Sequence, residues 1–127
     1  TLVDKEIISK QDRKYINIGK ILNFLNSKLG IQIRNSDYIS KEQEFILSDE
    51  SISKSLIQGI IDLYYINDNG NIVLIDFKTD KIDKEEIFIE KYKKQLEIYK
   101  AALEKILDKK VESTYIYSFY LDREIKL

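Results

Sequence analysis

The sequence predicts an α/β domain in which a mixed central sheet is flanked by helices, in the order helix-β-β-β-helix-β. Two segments repeat apolar residues at helical spacing, and four others are rich in β-branched and aromatic residues. The 127 residues, 43% hydrophobic and 34% charged, fit one globular domain. Helices that alternate with strands in this way cover the faces of a sheet.

The first part of the chain predicts one helix, one strand and a loop. Lys14–Leu29 carries Ile and Leu at helical spacing, and Gly30 follows it as a stop signal. Asp37–Leu47 has the composition of a strand, polar enough for the edge of a sheet. The polar stretch Ser48–Ser55 predicts a loop.

The rest of the chain predicts a hairpin, a long helix and a last strand. Leu56–Ile66 and Asn71–Lys78 are apolar strands joined by the turn sequence Asn67–Gly70. Lys84–Asp108 has the apolar stripe of a helix, and Val111–Leu121 alternates like a strand.

Composition limits the chemistry of any site. The chain has no Cys and no His, which excludes disulfides, cysteine-held zinc or iron–sulfur clusters, and imidazole ligands. A metal here must bind to oxygen, which favours Mg²⁺, Mn²⁺ or Ca²⁺. The net charge of −1 gives no general basic excess. No apolar run has the length of a membrane span and no signal peptide opens the chain, so we expect a cytoplasmic protein with no membrane partner.

Three charged residues interrupt the apolar hairpin. Asp76 lies inside a strand-like run, where a buried carboxylate is costly unless it is paired or binds a metal. Lys78 follows two residues later and therefore projects from the same face. Asp62 lies on the preceding strand. A two-residue turn would send the two Asp to opposite faces, whereas a three-residue turn ending at Gly70 would pair 62 with 76, and we predict the latter.

Two adjacent carboxylates with a lysine beside them suit metal-dependent phosphodiester hydrolysis. A divalent cation neutralises the carboxylates and activates water, and Lys78 orients that water or stabilises charge on the phosphate. A surface hairpin with a polar face explains the spacing of Asp62, Asp76 and Lys78 equally well. On the long helix, Gln95 and Tyr99 share a face with Tyr92, a pattern that an ordinary amphipathic helix also produces.

These motifs together resemble the RecB-type nucleases of the PD-(D/E)XK superfamily, and within them the C-terminal nuclease domains of the AddA family of helicase–nucleases. The similar segments are Gln58–Asp62, Leu74–Asp80, Tyr92–Tyr99, Glu42–Phe45 and Tyr117–Phe119. The resemblance implies a PD-(D/E)XK restriction-endonuclease-like core.

The resemblance also implies roles for individual residues. Asp62 and Asp76 are then metal ligands, the Phe77 carbonyl completes the coordination, and Lys78 is the catalytic lysine. Three further positions match supporting residues of the motifs: Glu42, Gln95 and Tyr99. Without the resemblance, Glu42 is better interpreted as a solvated charge on an edge strand.

The implied activity is Mg²⁺-dependent cleavage of DNA, with Mn²⁺ as a substitute, in double-strand break repair and recombination. We expect exonuclease action on single strands unwound by an attached helicase, and a heterodimer with a partner of the AddB type. The chain has no Gly-x-x-x-x-Gly-Lys loop, so ATP would act only through the helicase portion.

In the family pattern, an upstream helix carries a His that also binds the metal. This chain has no His, so that ligand is missing. We therefore expect residues 1–127 to be a single C-terminal nuclease domain cut from a longer chain after that helix, with its activity weakened or lost in isolation. Two other interpretations remain open. One is a free-standing RecB-like exonuclease, and the other is a catalytically silent module of the same fold that binds DNA or a partner protein.

Overall fold

The computed structural model of the protein describes residues 17–51 and 53–127, which form a five-stranded sheet and three helices. The elements in chain order are α1 (Ile18–Asn26), α2 (Lys28–Asn35), β1 (Ile39–Leu47), β2 (Ile57–Ile66), β3 (Ile72–Lys78), α3 (Glu85–Leu107), β4 (Val111–Ser118) and β5 (Arg123–Lys126).

The sheet is mixed, as the sequence predicts. Its strand order follows the chain, from β1 to β5. Strands β3 and β4 run parallel, and every other neighbouring pair runs antiparallel. Helix α3 is the crossover that parallel pairing requires, because the chain must return to the same end of the sheet.

Helices cover both faces of the sheet. Helices α1 and α2 pack Phe24 and Ile33 against Ile75 and Tyr117 on one face. Helix α3 packs Leu103 and its apolar neighbours against the other face. Side chains alternate along each strand, so consecutive residues of β3 enter different cores. Within the described ranges, no helix is long and apolar enough to cross a membrane.

The prediction of one helix from Lys14 to Leu29 is wrong. Residues 14–16 lie outside the described part of the chain, and beyond them two helices are separated at Ser27, whose backbone is extended. Ser27 begins α2 as its N-cap, because its hydroxyl accepts the Gly30 N–H at 3.1 Å. Gly30 is not a stop signal. It lies buried within α2, where a Cβ would collide with the carbonyl oxygen of Phe24.

The prediction of a last strand from Val111 to Leu121 is also wrong at its C-terminal end. Strand β4 ends at Ser118, whose hydroxyl accepts the Leu121 N–H at 3.0 Å within a turn. Asp122 then adopts a left-handed conformation and the chain returns as β5, which the sequence did not predict. The remaining elements begin and end within two residues of their predicted bounds.

Candidate active site

The turn between β2 and β3 sets which face each carboxylate occupies. Gly70 adopts the left-handed conformation with φ of 78°, and the Asn67 N–H donates to the Asn71 carbonyl at 2.9 Å. Strands β2 and β3 then pair Ile66 with Ile72 and Leu63 with Ile75. The two residue numbers in each pair differ by an even number, as a three-residue turn requires. The predicted three-residue turn is confirmed, and the next position of the same register, beyond the last paired residues, would set Asp62 level with Asp76.

The backbone ladder between β2 and β3 ends at Leu63–Ile75, although β3 continues to Lys78. The next acceptor on the β2 side is a side chain, because Asp62 Oδ2 accepts the Phe77 N–H at 2.9 Å. The sheet therefore opens where the carboxylates stand, and Asp62 is fixed beside Phe77.

Asp76 and Lys78 form a close ion pair on the α3 face of the sheet. Asp76 is only 4% exposed, and its Oδ2 lies 2.9 Å from Lys78 Nζ. Apart from this ion pair, Asp76 Oδ2 receives no hydrogen bond within the described residues. Burial acts to lower the pKa of Lys78, and the facing Asp76 carboxylate outweighs it, so the pKa lies above its usual value. Lys78 is therefore a cation at neutral pH.

Helix α3 holds the other side of Lys78. The Nζ atom donates to Gln95 Oε1 at 3.2 Å, and Gln95 Nε2 donates in turn to the Tyr99 hydroxyl at 3.3 Å. The Nζ atom also lies 4.1 Å from the centroid of the Tyr92 ring, a cation–π contact. The structure thus brings Gln95 and Tyr99 to the predicted site, with Lys78 at its centre.

Gly59 makes room for the Tyr99 ring. Tyr99 packs edge-to-face on Phe45, with ring centroids 5.5 Å apart. A Cβ on Gly59 would stand 2.8 Å from the Phe45 ring and 3.1 Å from the Tyr99 ring. A residue larger than Gly at this position would push Tyr99, and through it Gln95, away from Lys78.

Two residues near the site, Asp80 and Tyr92, belong to the predicted motifs, but the sequence assigns neither of them a role. Asp80 Oδ2 accepts the Tyr92 hydroxyl at 2.6 Å and Lys91 Nζ at 2.7 Å, which ties the segment after β3 to α3. Asp80 lies two residues after Lys78, and Tyr92 lies three before Gln95. These spacings place both residues near the site only because β3 and α3 are neighbours in the fold.

Glu42 lies on β1, the strand next to the one that carries Asp62. The β1–β2 register runs through Lys41–Leu63 and Gln43–Ile61, which sets Glu42 level with Asp62. Its backbone is left-handed, with φ of 51°, and its side chain is exposed. Across residues 17–51 and 53–127, no three acidic groups converge to hold a metal ion.

The two aspartates nevertheless fit one class of cation. Mg²⁺ is commonly held by one or two carboxylates, with water and substrate phosphate completing its shell. The buried Asp76 carboxylate is paired with Lys78 and receives no other hydrogen bond at Oδ2 within the described residues, so it keeps lone pairs for such an ion. Two aspartates therefore match the open coordination of a Mg²⁺ site, and they do not form a closed site in which every ligand comes from the protein.

Comparison with known proteins identifies the family. Residues 18–125 match the model of the PD-(D/E)XK nuclease superfamily. The chain is 39% identical over 145 residues to the A subunit of an ATP-dependent helicase/nuclease of Clostridium perfringens, covering 99% of this chain and 11% of the relative. The corresponding proteins of Clostridium beijerinckii and Alkaliphilus oremlandii are 40% and 34% identical, and each match covers 99% of this chain and 12% of the relative. The chain thus spans only about a ninth of these relatives and matches their nuclease region. A five-stranded mixed sheet flanked by helices agrees with this assignment, and the chain belongs to the PD-(D/E)XK nuclease superfamily.

Proposed function

We propose that this chain is a divalent-metal-dependent deoxyribonuclease, the DNA-cleaving region of a longer helicase–nuclease polypeptide. One observation carries the proposal, which is the buried Asp76 carboxylate paired with Lys78 at 2.9 Å, where β2 and β3 separate. A purely structural ion pair gains little from such burial, because the cost of desolvating both charges offsets their attraction. A site prepared for a cation and a phosphate accounts for it.

Asp62, Asp76 and the Phe77 carbonyl are the proposed metal ligands. The Phe77 N–H points toward the β2 side, where it meets Asp62. In a strand, the N–H and C=O of one residue leave on the same side, so the Phe77 carbonyl also points toward the β2 side. Backbone and side-chain oxygens then approach the same space from two strands.

A cation at this position would polarise the scissile phosphate and make an attacking water more acidic. Lys78 supplies the second positive charge. An ammonium has three N–H donors, and Gln95 accepts one of them, while Asp76 and the Tyr92 ring attract the charge of Lys78. These contacts fix the Lys78 nitrogen so that a remaining N–H can reach a phosphate oxygen as negative charge builds on it. Gln95 and Tyr99 act by holding Lys78 in that position.

Glu42 is proposed only as a supporting residue. Glu42 is exposed and lies level with Asp62 on the neighbouring strand. The preferred metal is Mg²⁺, with Mn²⁺ as a substitute, because every available ligand is oxygen.

The wider role follows from the relatives, which are A subunits of ATP-dependent helicase/nucleases. We propose that residues 1–127 are the nuclease domain of such a protein, that ATP acts through its helicase portion, and that the partner is of the AddB type. Exonuclease action on unwound single strands during double-strand break repair is the corresponding proposal for the substrate.

The test is Mg²⁺-dependent cleavage of end-labelled single-stranded DNA by the chain. Asp76→Asn and Lys78→Ala are expected to abolish cleavage, since each removes one half of the proposed centre. Asp68→Asn and Lys100→Ala are the matched controls, because both residues are exposed and lie away from the opening between β2 and β3.

Cleavage that persists in both site variants would refute the assignment. If the wild-type chain does not cleave, a longer chain carrying the upstream region should be assayed in the same way. If the longer chain also fails to cleave DNA, a binding module with the same fold would be favoured.

A further inference from the structure

Two lysines share one aromatic ring at the candidate site. Lys78 Nζ lies 4.1 Å from the Tyr92 ring centroid, and Lys91 Nζ lies 5.2 Å from it. The two nitrogens are therefore no farther apart than the sum of these distances. The Lys78 side chain is 17% exposed and that of Lys91 is 55% exposed. One ammonium lies within the site and the other lies near its surface.

Asp80 holds Lys91 in place without using all of its donors. Asp80 Oδ2 accepts Lys91 Nζ at 2.7 Å and the Tyr92 hydroxyl at 2.6 Å. Burial acts to raise the pKa of Asp80, but the hydrogen bonds from Lys91 and Tyr92 outweigh it and hold the pKa below its usual value. Asp80 is thus a carboxylate at neutral pH. One N–H of Lys91 is engaged by Asp80, which leaves donors for a ligand on the solvent side.

We propose that Lys91, positioned by Asp80 and Tyr92, binds a backbone phosphate of the DNA strand next to the phosphate that is cleaved. The inference rests on the proposed nuclease function, since it names a second subsite for the same substrate. Neighbouring phosphates of one strand are spaced closely enough to contact both Lys78 and Lys91. The contact is to the backbone, so it fits a strand of any sequence.

A structural role alone explains the arrangement less well. An exposed ion pair such as Lys91–Asp80 contributes little to stability, typically about 0–1 kcal/mol. Tyr92 is already fixed by its own hydrogen bond to Asp80 and by stacking on Phe88. Lys91 is therefore not needed to hold the ring, and its removal should leave the fold and Lys78 intact.

The experiment measures the dissociation constant of a fluorescent single-stranded oligonucleotide at several NaCl concentrations, with EDTA present to prevent cleavage. The slope of log affinity against log salt counts phosphate contacts, at roughly 0.7 for each contact on a single strand. Lys91→Gln is expected to reduce the slope by about that amount and to weaken binding to all sequences alike. Lys91→Arg should keep the wild-type slope. Lys100→Gln, which removes the same charge from α3 beside Leu127, should also keep it.

An unchanged slope in Lys91→Gln, an equal loss in Lys100→Gln, or no binding by the wild-type chain would each overturn the subsite. Failure of the nuclease proposal is seen separately, as absence of Mg²⁺-dependent cleavage. A lower kcat of Lys91→Gln at saturating DNA would mean that Lys91 supports the position of Lys78 and does not bind a neighbouring phosphate. That result would also overturn the subsite. A higher KM with unchanged kcat is the expected result.

Discussion

Replacing Lys78 with Met should make the stability of the fold depend on divalent cations. The substitution keeps much of the side-chain volume but leaves Asp76 buried, with a side chain 5% exposed and without its cation. Removing one partner of a buried ion pair costs about 3–5 kcal/mol. Lys78 is itself 17% exposed, so the pair is partly solvated and we expect the lower end of that range, about 3 kcal/mol.

A cation bound at Asp62 and Asp76 should restore most of this loss. Ligand binding to the folded state alone stabilises it by about 2.7 kcal/mol when the ligand is at 100 times its dissociation constant. Lys78→Met removes a positive charge that repels the cation, so Mg²⁺ should stabilise the variant more than the wild type. The difference in free energy of unfolding between the two proteins should therefore shrink as Mg²⁺ is added.

Urea unfolding followed by circular dichroism, with EDTA and with increasing Mg²⁺, measures this difference directly. The control is the double variant Asp76→Asn/Lys78→Met, which lacks the buried charge and should gain little from Mg²⁺. A stability gap that does not change with Mg²⁺, or an equal gain in the double variant, would refute a cation site at Asp76. The readout needs no DNA and no cleavage.

Three further substitutions test other parts of the structure. Gly30→Ala should lower the free energy of unfolding by about 2–3 kcal/mol, because its Cβ collides with backbone atoms of α1. Urea unfolding measures this loss, with Gly19→Ala as the control, because a Cβ at Gly19 would lie 3.3 Å from the Asn17 side chain and meet no backbone. A larger loss in Gly30→Ala than in Gly19→Ala separates the collision from the loss of glycine flexibility. Gly59→Ala should lower kcat by about 10- to 100-fold by displacing Tyr99, and unchanged cleavage would contradict that role of Gly59. Hydrogen bonds from Asn71 and two other hairpin amides lower the pKa of Glu112, so its contribution is present above the unfolded pKa and is lost as pH falls through the folded pKa. The difference in melting temperature between wild type and Glu112→Gln should therefore disappear on acidification, and a pH-independent difference would contradict this.

The central hairpin could be predicted from sequence because its constraints are local. Gly70 supplies a left-handed residue at a defined point of the turn, and strand alternation then determines which face Asp62 and Asp76 occupy. The same alternation put Lys78 with Asp76. Gln95 and Tyr99 could be assigned to one helix face, but only the crossover of α3 over β3 shows that this face meets Lys78.

The predictions that were wrong rest on sequence features that fit more than one structure or are too short to show a pattern. Glycine after an apolar helical pattern predicts a helix stop, yet glycine also permits two backbones to approach closely. At Gly30 the close approach is to α1, which local sequence does not show. Strand β5 has four residues and one buried side chain, Ile125, which is too short for a periodic pattern. The pairing of Asp80 with Tyr92 and Lys91 joins residues more than ten positions apart and depends on how the segment after β3 returns to α3.

Because the Phe77 N–H donates to Asp62, the signal of this backbone amide should report whether a cation is bound to the Asp62 carboxylate. A carboxylate acceptor deshields the amide proton and slows its exchange with water as long as the bond persists. A cation that draws electron density from the Asp62 carboxylate would weaken that bond. The nuclear magnetic resonance signal of Phe77 would then shift and its exchange would quicken, while amides in the β2–β3 ladder at Leu63 and Ile75 would keep their values.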